Sequence, residues 1–327
     1  MRDHVDLWAL GDLATPWCVH VVVTLGIAEH LSSGITRIEE LADAAGADPA
    51  YLHRVLRHLA SRGVFAEPEP GRFVLSEAGR GLLEPGIRLG MNLDGIGGRM
   101  ARAWASLLTA VRIGAPAYHD VFGRPFWDDL QAHPDIAADF DELMGPGHGT
   151  PDPDVLLSGD WDTVYTVVDV GGGTGSLLAE ILRARPHVRG ILVDLPQTVA
   201  RSQDVFRSAG LADRVMTSGQ SFFDPLPGGG DVYLLKSVLS DWPDQEAIAI
   251  LRRCGDAARP HGRVVLLNGV SPGEPSPELL MLVLVGGRSR SLAEFRDMAR
   301  EAGLEVHASG RQPSGRYIVE CRPAAAR

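Results

Sequence analysis

One stretch, residues 165–182, constrains the fold of this chain more than any other. It begins with a β-branched and aromatic run that predicts a buried strand, and Asp169 closes that run. A glycine-rich turn follows, and leucine and isoleucine then recur at helical spacing. The order strand, glycine turn, helix is typical of a nucleotide-binding α/β unit, because glycine lets the backbone turn tightly and lets a ligand approach the start of the helix.

The residues around this turn distinguish between two kinds of ligand. Gly171 and Gly173 supply the first two positions of the dinucleotide fingerprint G-x-G-x-x-G, but Ser176 occupies the third. Asp169 suits a cationic ligand better than a pyrophosphate, and a second predicted strand ends at Asp194, where a carboxylate can bind ribose hydroxyls. S-Adenosylmethionine combines a ribose, an adenine and a positive sulfur without phosphate, so we predict it as the cofactor. A glycine turn that binds nothing is the alternative.

Length and composition limit the class of protein. A chain of 327 residues suggests two domains, and its net charge of −11 argues against a nucleic-acid or anionic-membrane partner. Three scattered cysteines, Cys18, Cys254 and Cys321, do not form a disulfide framework and favour the cytoplasm. The apolar run at residues 19–28 is too short to span a bilayer, and no small-residue cleavage site follows it, so we expect no signal peptide.

Residues 1–90 are predicted to form a winged-helix domain. Two helices, the second with Asp48 as N-cap and Pro49 in its first turn, precede two short strands. A winged helix also suggests a DNA-binding regulator. Against that reading, the segment holds eight arginines and no lysine against twelve acids, a net charge of 8 − 12 = −4. Glu67 and Glu69, at the predicted wing tip, would also repel phosphates.

The rest of the chain divides at a run dense in glycine and proline. We predict that residues 91–153 form a helical linker that lines the substrate cleft, and that the breakers at its end mark the boundary. Beyond it, residues 154–327 alternate between predicted strands and helices. The predicted fold class is therefore α/β, with a doubly wound Rossmann-like sheet that binds its ligands at the C-terminal ends of the strands.

Five ordered motifs resemble one enzyme family. They are DVGGGTG at 169–175, DLP at 194–196, SFFDPLP at 221–227, LKSVLSDWPDQEAIAILRRC at 235–254 and LLMLVLVGGRSR at 279–290. The set resembles the class I O-methyltransferases of the caffeate and hydroxyindole type, and is nearest to the bacterial branch that acts on aromatic polyketides and related natural products. The likeness spans nearly the whole chain. It implies a cytoplasmic homodimer formed through an N-terminal α-helical winged-helix dimerisation domain.

The resemblance also implies site residues. Those expected at the cofactor are Asp169, Gly171, Gly173, Asp194, Leu195, Ser221, Phe222, Lys236 and Ser237. Those expected at a small aromatic substrate are Trp127, Phe140, Met144 and Met281. For each aromatic residue and methionine, ordinary core packing is the alternative. No metal site is expected, because no H-x-x-x-H or C-x-x-C spacing occurs near the cleft.

The chain departs from the family at the general base. Members with a base have a pattern like L-K-H-x-L-H-D-W, whereas here both histidines are replaced, by Ser237 and Ser240. Asn268 and Ser289 align with the two glutamates that usually hold the base. Ser240 is the positional candidate for a catalytic role but has no useful proton affinity alone. His148, four residues after Met144, is a candidate replacement.

The missing base leaves two outcomes open. The chain either methylates a hydroxyl group by proximity and orientation, or it binds the cofactor and catalyses a non-methylating reaction such as decarboxylation, hydroxylation or cyclisation. General-base catalysis typically supplies about 10²–10⁴-fold. Proximity and orientation can supply about 7–11 kcal/mol. Methyl transfer to an aromatic or polyketide-type natural product is therefore the expected function, and His119 is a weaker second candidate base.

Overall fold

A computed structural model describes residues 6–145, 152–157 and 160–324. The chain forms two compact units, Met1–Arg102 and Ala103–Arg327. One apolar core lies in the first unit, and two more line the large sheet of the second unit. The division at residues 90 and 153 that the sequence suggests stays a prediction.

The first unit is mainly helical. Its helices, the last of which ends one residue beyond the unit, are α1 (Leu7–Leu10), α2 (Ala14–Thr24), α3 (Ile27–Ser32), α4 (Ile38–Ala45), α5 (Pro49–Ser61), α6 (Glu77–Arg80), α7 (Pro85–Met91) and α8 (Ile96–Ala103), with a 3₁₀ helix at Gly81–Leu83. Strands β1 (Phe65–Glu69) and β2 (Arg72–Leu75) form an antiparallel hairpin. Asp48 caps α5 as predicted, because its carboxylate accepts hydrogen bonds from the N–H groups of Ala50 and Tyr51 at 2.9 and 3.0 Å. The predicted order of two helices and a hairpin is present, and the winged-helix assignment stays a prediction.

One helical stretch of this unit, Leu7–Thr24, is long and apolar enough to cross a membrane by length and composition alone. The core helices of soluble proteins can have the same length and composition. Here the polar side chains of the stretch are bonded within the unit. Thr15 Oγ1 lies 2.8 Å from His58 Nε2, and His20 Nδ1 lies 2.7 Å from the carbonyl oxygen of Met91. We therefore interpret the stretch as a surface element of the folded unit.

The second unit surrounds a seven-stranded sheet. Its strands are β3 (Thr166–Val170), β4 (Arg189–Asp194), β5 (Val215–Gly219), β6 (Val232–Lys236), β7 (Arg263–Leu267), β10 (Leu304–Arg311) and β11 (Tyr317–Pro323), and β8 (Val270–Ser271) pairs separately with β9 (Arg290–Ser291). The order in the sheet is β5-β4-β3-β6-β7-β11-β10. Strands β3 to β7 are parallel, and β11 is antiparallel to both of its neighbours.

The helices of this unit both precede the sheet and cover it. They are α9 (Leu107–Ile113), α10 (His119–Phe122), α11 (Phe126–Ala132), α12 (Pro134–Met144), α13 (Ser176–Ala184), α14 (Pro196–Ser208), α15 (Asp244–Ala258), α16 (Leu279–Leu284) and α17 (Leu292–Glu301), with 3₁₀ helices at Trp104–Ser106, Trp161–Thr163, Ala212–Arg214 and Leu239–Asp241. The predicted α/β class is confirmed. The chain builds β4 and β5 on one side of β3 and then β6 and β7 on the other, so the C-terminal end of β3 is a topological switch point, where such folds bind ligands.

Candidate active site

The glycine turn after β3 closes tightly over the end of the strand. Gly171 has φ +68° and donates its N–H to the carbonyl oxygen of Val193 at 2.8 Å. A side chain at Gly172 would place its Cβ within 2.5 Å of the carboxyl carbon of Asp169. Glycine is required at both positions, at the first for the left-handed backbone and at the second for the close approach. The turn thus encloses the carboxylate that the sequence assigns to the cofactor.

Asp169 is buried without a partner. Its side chain is 1% exposed, and neither carboxylate oxygen has a hydrogen-bond partner among the described residues. Burial raises the pKa of this carboxyl to about 7, although the positive charge of Lys236 opposes the rise. An unpaired buried carboxylate is costly, and a cationic ligand would relieve the cost. The residues present therefore fit S-adenosylmethionine, whose sulfonium and ammonium groups are both positive.

Asp194 ends β4, beside the same turn. Its Oδ2 accepts the N–H of Gly173 at 2.8 Å, and its Oδ1 accepts the N–H of Leu195 at 2.7 Å. Burial raises the pKa of Asp194 to about 6, against the effect of these two hydrogen bonds. Each carboxylate oxygen keeps a free lone pair, because a carboxylate has about four acceptor sites. Asp194 can therefore accept hydrogen bonds from a pair of ribose hydroxyls.

Phe222 forms a flat apolar wall next to the turn. A Cβ on Gly171 would lie 3.5 Å from its ring, and the ring meets Trp242 edge-on with centroids 5.7 Å apart. Ser221 Oγ accepts the N–H of Phe223 at 3.2 Å, which fixes the start of this segment. The structure thus brings Phe222 beside Gly171, where an adenine ring could stack.

Two residues with strained backbone conformations lie next to each other at the ends of β6 and β7. Ser237 and Asn268 have φ values of +59° and +67°, which are uncommon for residues other than glycine. Asn268 Nδ2 donates to Ser237 Oγ at 2.9 Å. Ser240 is buried, and its Oγ donates to the backbone oxygen of Ser237 at 3.1 Å. The Ser240 hydroxyl is thus committed to a carbonyl group, which does not activate it as a nucleophile or base.

The predicted substrate residues Trp127 and Phe140 are in contact. Their rings meet edge-on at 5.7 Å, and Trp127 also stacks on Trp242 at 5.9 Å with an interplanar angle of 17°. Trp242 therefore joins the predicted substrate residues to Phe222. Met144 is exposed at the end of α12. Met281 is partly buried on α16.

An ion pair fixes the helix that carries Phe140. Asp141, the next residue, accepts a hydrogen bond from Arg201 Nε on α14 at 3.1 Å. Burial raises the pKa of Asp141, and the Arg201 guanidinium opposes that rise. Because α14 begins directly after Asp194 and Leu195, this pair links α12 to the C-terminal end of β4. The pair could not be predicted from the sequence, since opposite charges sixty positions apart give no local signal.

Both histidine candidates stay predictions, and the structure describes only one of them. His148 lies outside the described residues. His119 is exposed, with its Nε2 3.3 Å from Asp120 Oδ1, so its nearest charged partner is a neighbour in sequence. The described residues contain no group of three or more histidine, cysteine, aspartate or glutamate side chains that could hold a metal ion.

Comparison with known proteins identifies the family. The O-methyltransferase domain matches residues 104–305, and the O-methyltransferase dimerisation domain matches residues 9–85. A 2,7-dihydroxy-5-methyl-1-naphthoate 7-O-methyltransferase of Streptomyces carzinostaticus is 39% identical over 94% of this chain and 94% of its own length. The aclacinomycin 10-hydroxylase of Streptomyces purpurascens is 38% identical over 91% of this chain and 83% of its own length.

A solved structure supports the same family assignment. An O-methyltransferase of neocarzinostatin biosynthesis, crystallised with S-adenosylmethionine and 2-hydroxy-5-methyl naphthoic acid, matches with a TM-score of 0.90 and 38% identity, over 98% of this chain and 100% of that one. Full-length similarity to crystallised biosynthetic enzymes indicates a soluble protein. The dimerisation domain indicates a homodimer. The chain therefore belongs to the O-methyltransferase family and is an S-adenosylmethionine-dependent enzyme of natural-product biosynthesis.

Proposed function

We propose that this enzyme methylates a hydroxyl group on a small aromatic or polyketide-type natural product, in the cytoplasm. One observation carries the proposal: Trp242 contacts Phe222, which lies beside the glycine turn, and also stacks on Trp127. Trp127 in turn contacts Phe140. A flat hydroxylated ring placed against these aromatic side chains would lie beside the bound cofactor. Relatives whose names specify naphthoate, phenazine and mitomycin support the same class of substrate.

The proposed mechanism relies on positioning. When bound, S-adenosylmethionine supplies an electrophilic methyl group on a positive sulfur. Asp169 offsets its charge, Asp194 fixes its ribose and Phe222 flanks its adenine. Trp127 and Phe140 orient the substrate ring and exclude water from it. Alignment of this kind can supply about 7–11 kcal/mol of the barrier, more than the roughly 3–5 kcal/mol of a typical general base.

The test is product analysis. We would incubate the enzyme with S-adenosylmethionine and a panel of hydroxylated naphthoic acids, phenazines and quinones, and measure product masses. The expected product is heavier than the substrate by one methylene unit. One molecule of S-adenosylhomocysteine should form for each molecule of this product. A product that gains oxygen or loses carbon dioxide without methylation would overturn the proposal.

A matched pair of variants tests whether the cofactor binds at this site. Asp194→Asn removes the carboxylate expected at the ribose and should weaken cofactor binding by at least tenfold. Asp204→Asn makes the same chemical change on the exposed surface of α14 and should have no effect. Equal activity in the two variants would show that Asp194 does not bind the cofactor.

A further inference from the structure

The ion pair between α12 and α14 is largely shielded from water. The side chains of Asp141 and Arg201 are only 14% and 29% exposed. Arg201 Nε donates to Asp141 Oδ2 at 3.1 Å, and its Nη2 donates to the same oxygen. Two charge-assisted bonds from one planar guanidinium fix its orientation and are stronger than bonds between neutral groups. The pair therefore differs from exposed ion pairs, which contribute little to the free energy of folding.

On the α14 side, further hydrogen bonds lead from Arg201 to Asp194. Arg201 Nη2 also donates to Thr198 Oγ1 at 3.3 Å. Thr198 is buried in the first turn of α14 and donates its N–H to the carbonyl oxygen of Leu195 at 3.0 Å. Leu195 in turn donates its N–H to Asp194 Oδ1 at 2.7 Å. An unbroken series of bonded residues thus joins Asp141 to the carboxylate expected at the ribose.

On the α12 side, the pair lies next to the aromatic residues expected at the substrate. Phe140 precedes Asp141 in the chain, and its ring meets those of Phe126 and Trp127 edge-on, each at a centroid distance of 5.7 Å. Helix α12 packs against α11, which carries Phe126 and Trp127, and against α14. The position of α12 on α14 therefore determines where the Phe140 ring lies.

The charge of Arg201 acts on both carboxylates. Burial is the main cause that raises the pKa of Asp141 and of Asp194, and the Arg201 guanidinium opposes the rise at each. The negative charge of Asp141 also contributes to the raised pKa of Asp194. Because such interactions weaken with distance, the ion pair lies close to the ribose carboxylate as well as to the substrate helix.

This arrangement gives the two ligands a physical reason to favour each other. A cofactor that bonds to Asp194 restrains that carboxylate and with it the first turn of α14. A substrate ring that packs on Phe140 restrains α12. Because the ion pair joins the two helices, the first ligand to bind orders part of what the second ligand needs, so the second loses less conformational entropy. Coupling of this kind is reciprocal, and each ligand raises the affinity of the other by the same factor.

We propose that Asp141 and Arg201 are positioning residues that couple the two ligand sites, so that cofactor bound at Asp194 strengthens the binding of an aromatic substrate beside Phe140, and the reverse. The inference rests on the proposed function, which supplies the aromatic substrate. Neither side chain touches the reacting atoms, and both act through the helices that carry them.

Calorimetric titration tests the coupling. The dissociation constant of a hydroxylated naphthoic acid is measured without and with saturating S-adenosylhomocysteine. In the wild-type enzyme the ratio of the two constants should be at least about fivefold, the lower end of the usual range for coupled sites. Asp141→Asn removes the charge but keeps the shape of the side chain, and Arg201→Gln removes the guanidinium. Each variant should bring the ratio close to one.

A control on the same helix separates coupling from a general effect of lost charge. Arg207 bonds Asp204 at 2.6 Å, and both residues are exposed on α14. Arg207→Gln should therefore keep the wild-type ratio. The double variant Asp141→Asn with Arg201→Gln should behave like either single variant, because the two residues act as one unit. A wild-type ratio near one, an equal ratio in wild type and the pair variants, or additive losses in the double variant would overturn the proposal.

Hydrogen exchange gives a readout that needs no substrate. Addition of S-adenosylhomocysteine to the wild-type enzyme should slow the exchange of backbone amides in the glycine turn and also in α12. In Asp141→Asn it should still slow exchange in the turn but no longer in α12. Because each protein is compared with itself, a general loss of stability does not imitate this result. Equal slowing of α12 in both proteins would contradict the proposal. Failure of the wild-type enzyme to bind or methylate any aromatic compound would instead contradict the proposed function.

Discussion

At the scale of one residue, Asp169 is a buried carboxyl that lowers the stability of the cofactor-free fold when it ionises. Its carboxyl is buried by the glycine turn with no hydrogen-bond partner among the described residues, and burial raises its pKa to about 7. A group whose pKa is raised on folding contributes stability below its unfolded value that is lost as the pH rises through its folded value. For Asp169 this window runs from about pH 4 to about pH 7. A cationic cofactor would reverse the loss, because it stabilises the ionised carboxylate.

The first prediction is that Asp169→Asn stabilises the cofactor-free enzyme at pH 8 and not at pH 4. A shift of roughly three pKa units corresponds to about 4 kcal/mol, an upper limit because the amide is also buried without a partner. The melting temperature of wild type and variant should therefore diverge as the pH rises. Calorimetric titration should show weaker binding of S-adenosylmethionine to the variant. Lower stability at pH 8 together with unchanged affinity would contradict this account of Asp169.

A second prediction at this scale concerns Ser240, which occupies the position of the family's base. Its hydroxyl donates to the backbone oxygen of Ser237, so we expect it to take no part in proton transfer. Ser240→Ala should therefore change kcat/KM by less than tenfold, which corresponds to less than about 1.4 kcal/mol of barrier. Steady-state kinetics near neutral pH measures the effect. A larger loss would place Ser240 in the chemistry.

At the scale of elements, sequence patterns located the parts that have a strong local signal. The strand and glycine turn at β3, the capped start of α5 and the sheet strands rich in valine and leucine are all present. Strand β10 was not predicted, because its residues Leu304–Arg311 alternate weakly and pair only with β11 at the edge of the sheet. The hydrogen bonds between Glu278 and Ser289, and those from Arg290 to the loop after β6, were not predicted either. Loops that meet through tertiary folding carry no periodic pattern in the sequence.

The loops after β6 and β7 meet at Arg290, which yields the third prediction. Arg290 is buried and donates to Asp244 and to two backbone oxygens, and its own N–H donates to the Gly269 oxygen at 3.0 Å. Arg290→Gln keeps the backbone bond to Gly269, and Asp244 keeps Arg288, but the Leu239 and Trp242 oxygens lose their donor. Because an unsatisfied buried acceptor costs about 1–3 kcal/mol, the variant should be destabilised by about 2–6 kcal/mol. Denaturant unfolding measures the difference.

Arg288 offers the matched control, since it binds the same Asp244 from a more exposed position. Exposed ion pairs contribute about 0–1 kcal/mol, so Arg288→Gln should have a small effect on the free energy of unfolding. Similar losses in the two variants would show that burial of Arg290 does not decide the stability of these loops.

At the scale of the whole molecule, the first unit presents apolar side chains to solvent. Leu7, Trp8, Leu10 and Leu13 of α1 and the following turn are all exposed. Contiguous exposed apolar surface on a soluble protein marks an interaction site. The dimerisation domain begins at residue 9, within this stretch. We therefore predict that a second copy of the chain covers this surface.

The last prediction is that Leu13→Glu shifts the enzyme from dimer to monomer. Leu13 is 71% exposed in the single chain. A two-fold axis would bury it twice, so its loss removes about 3–6 kcal/mol, or roughly two to four orders of magnitude in the dimer dissociation constant, before the cost of burying charge is added. Sedimentation at micromolar concentration measures the change. Met216→Glu is the control, because Met216 is 70% exposed on β5 in the other unit and should leave the dimer intact. A dimer that survives Leu13→Glu would move the interface away from α1 and its following turn, whereas dissociation of both variants would point to a general loss of solubility or folding.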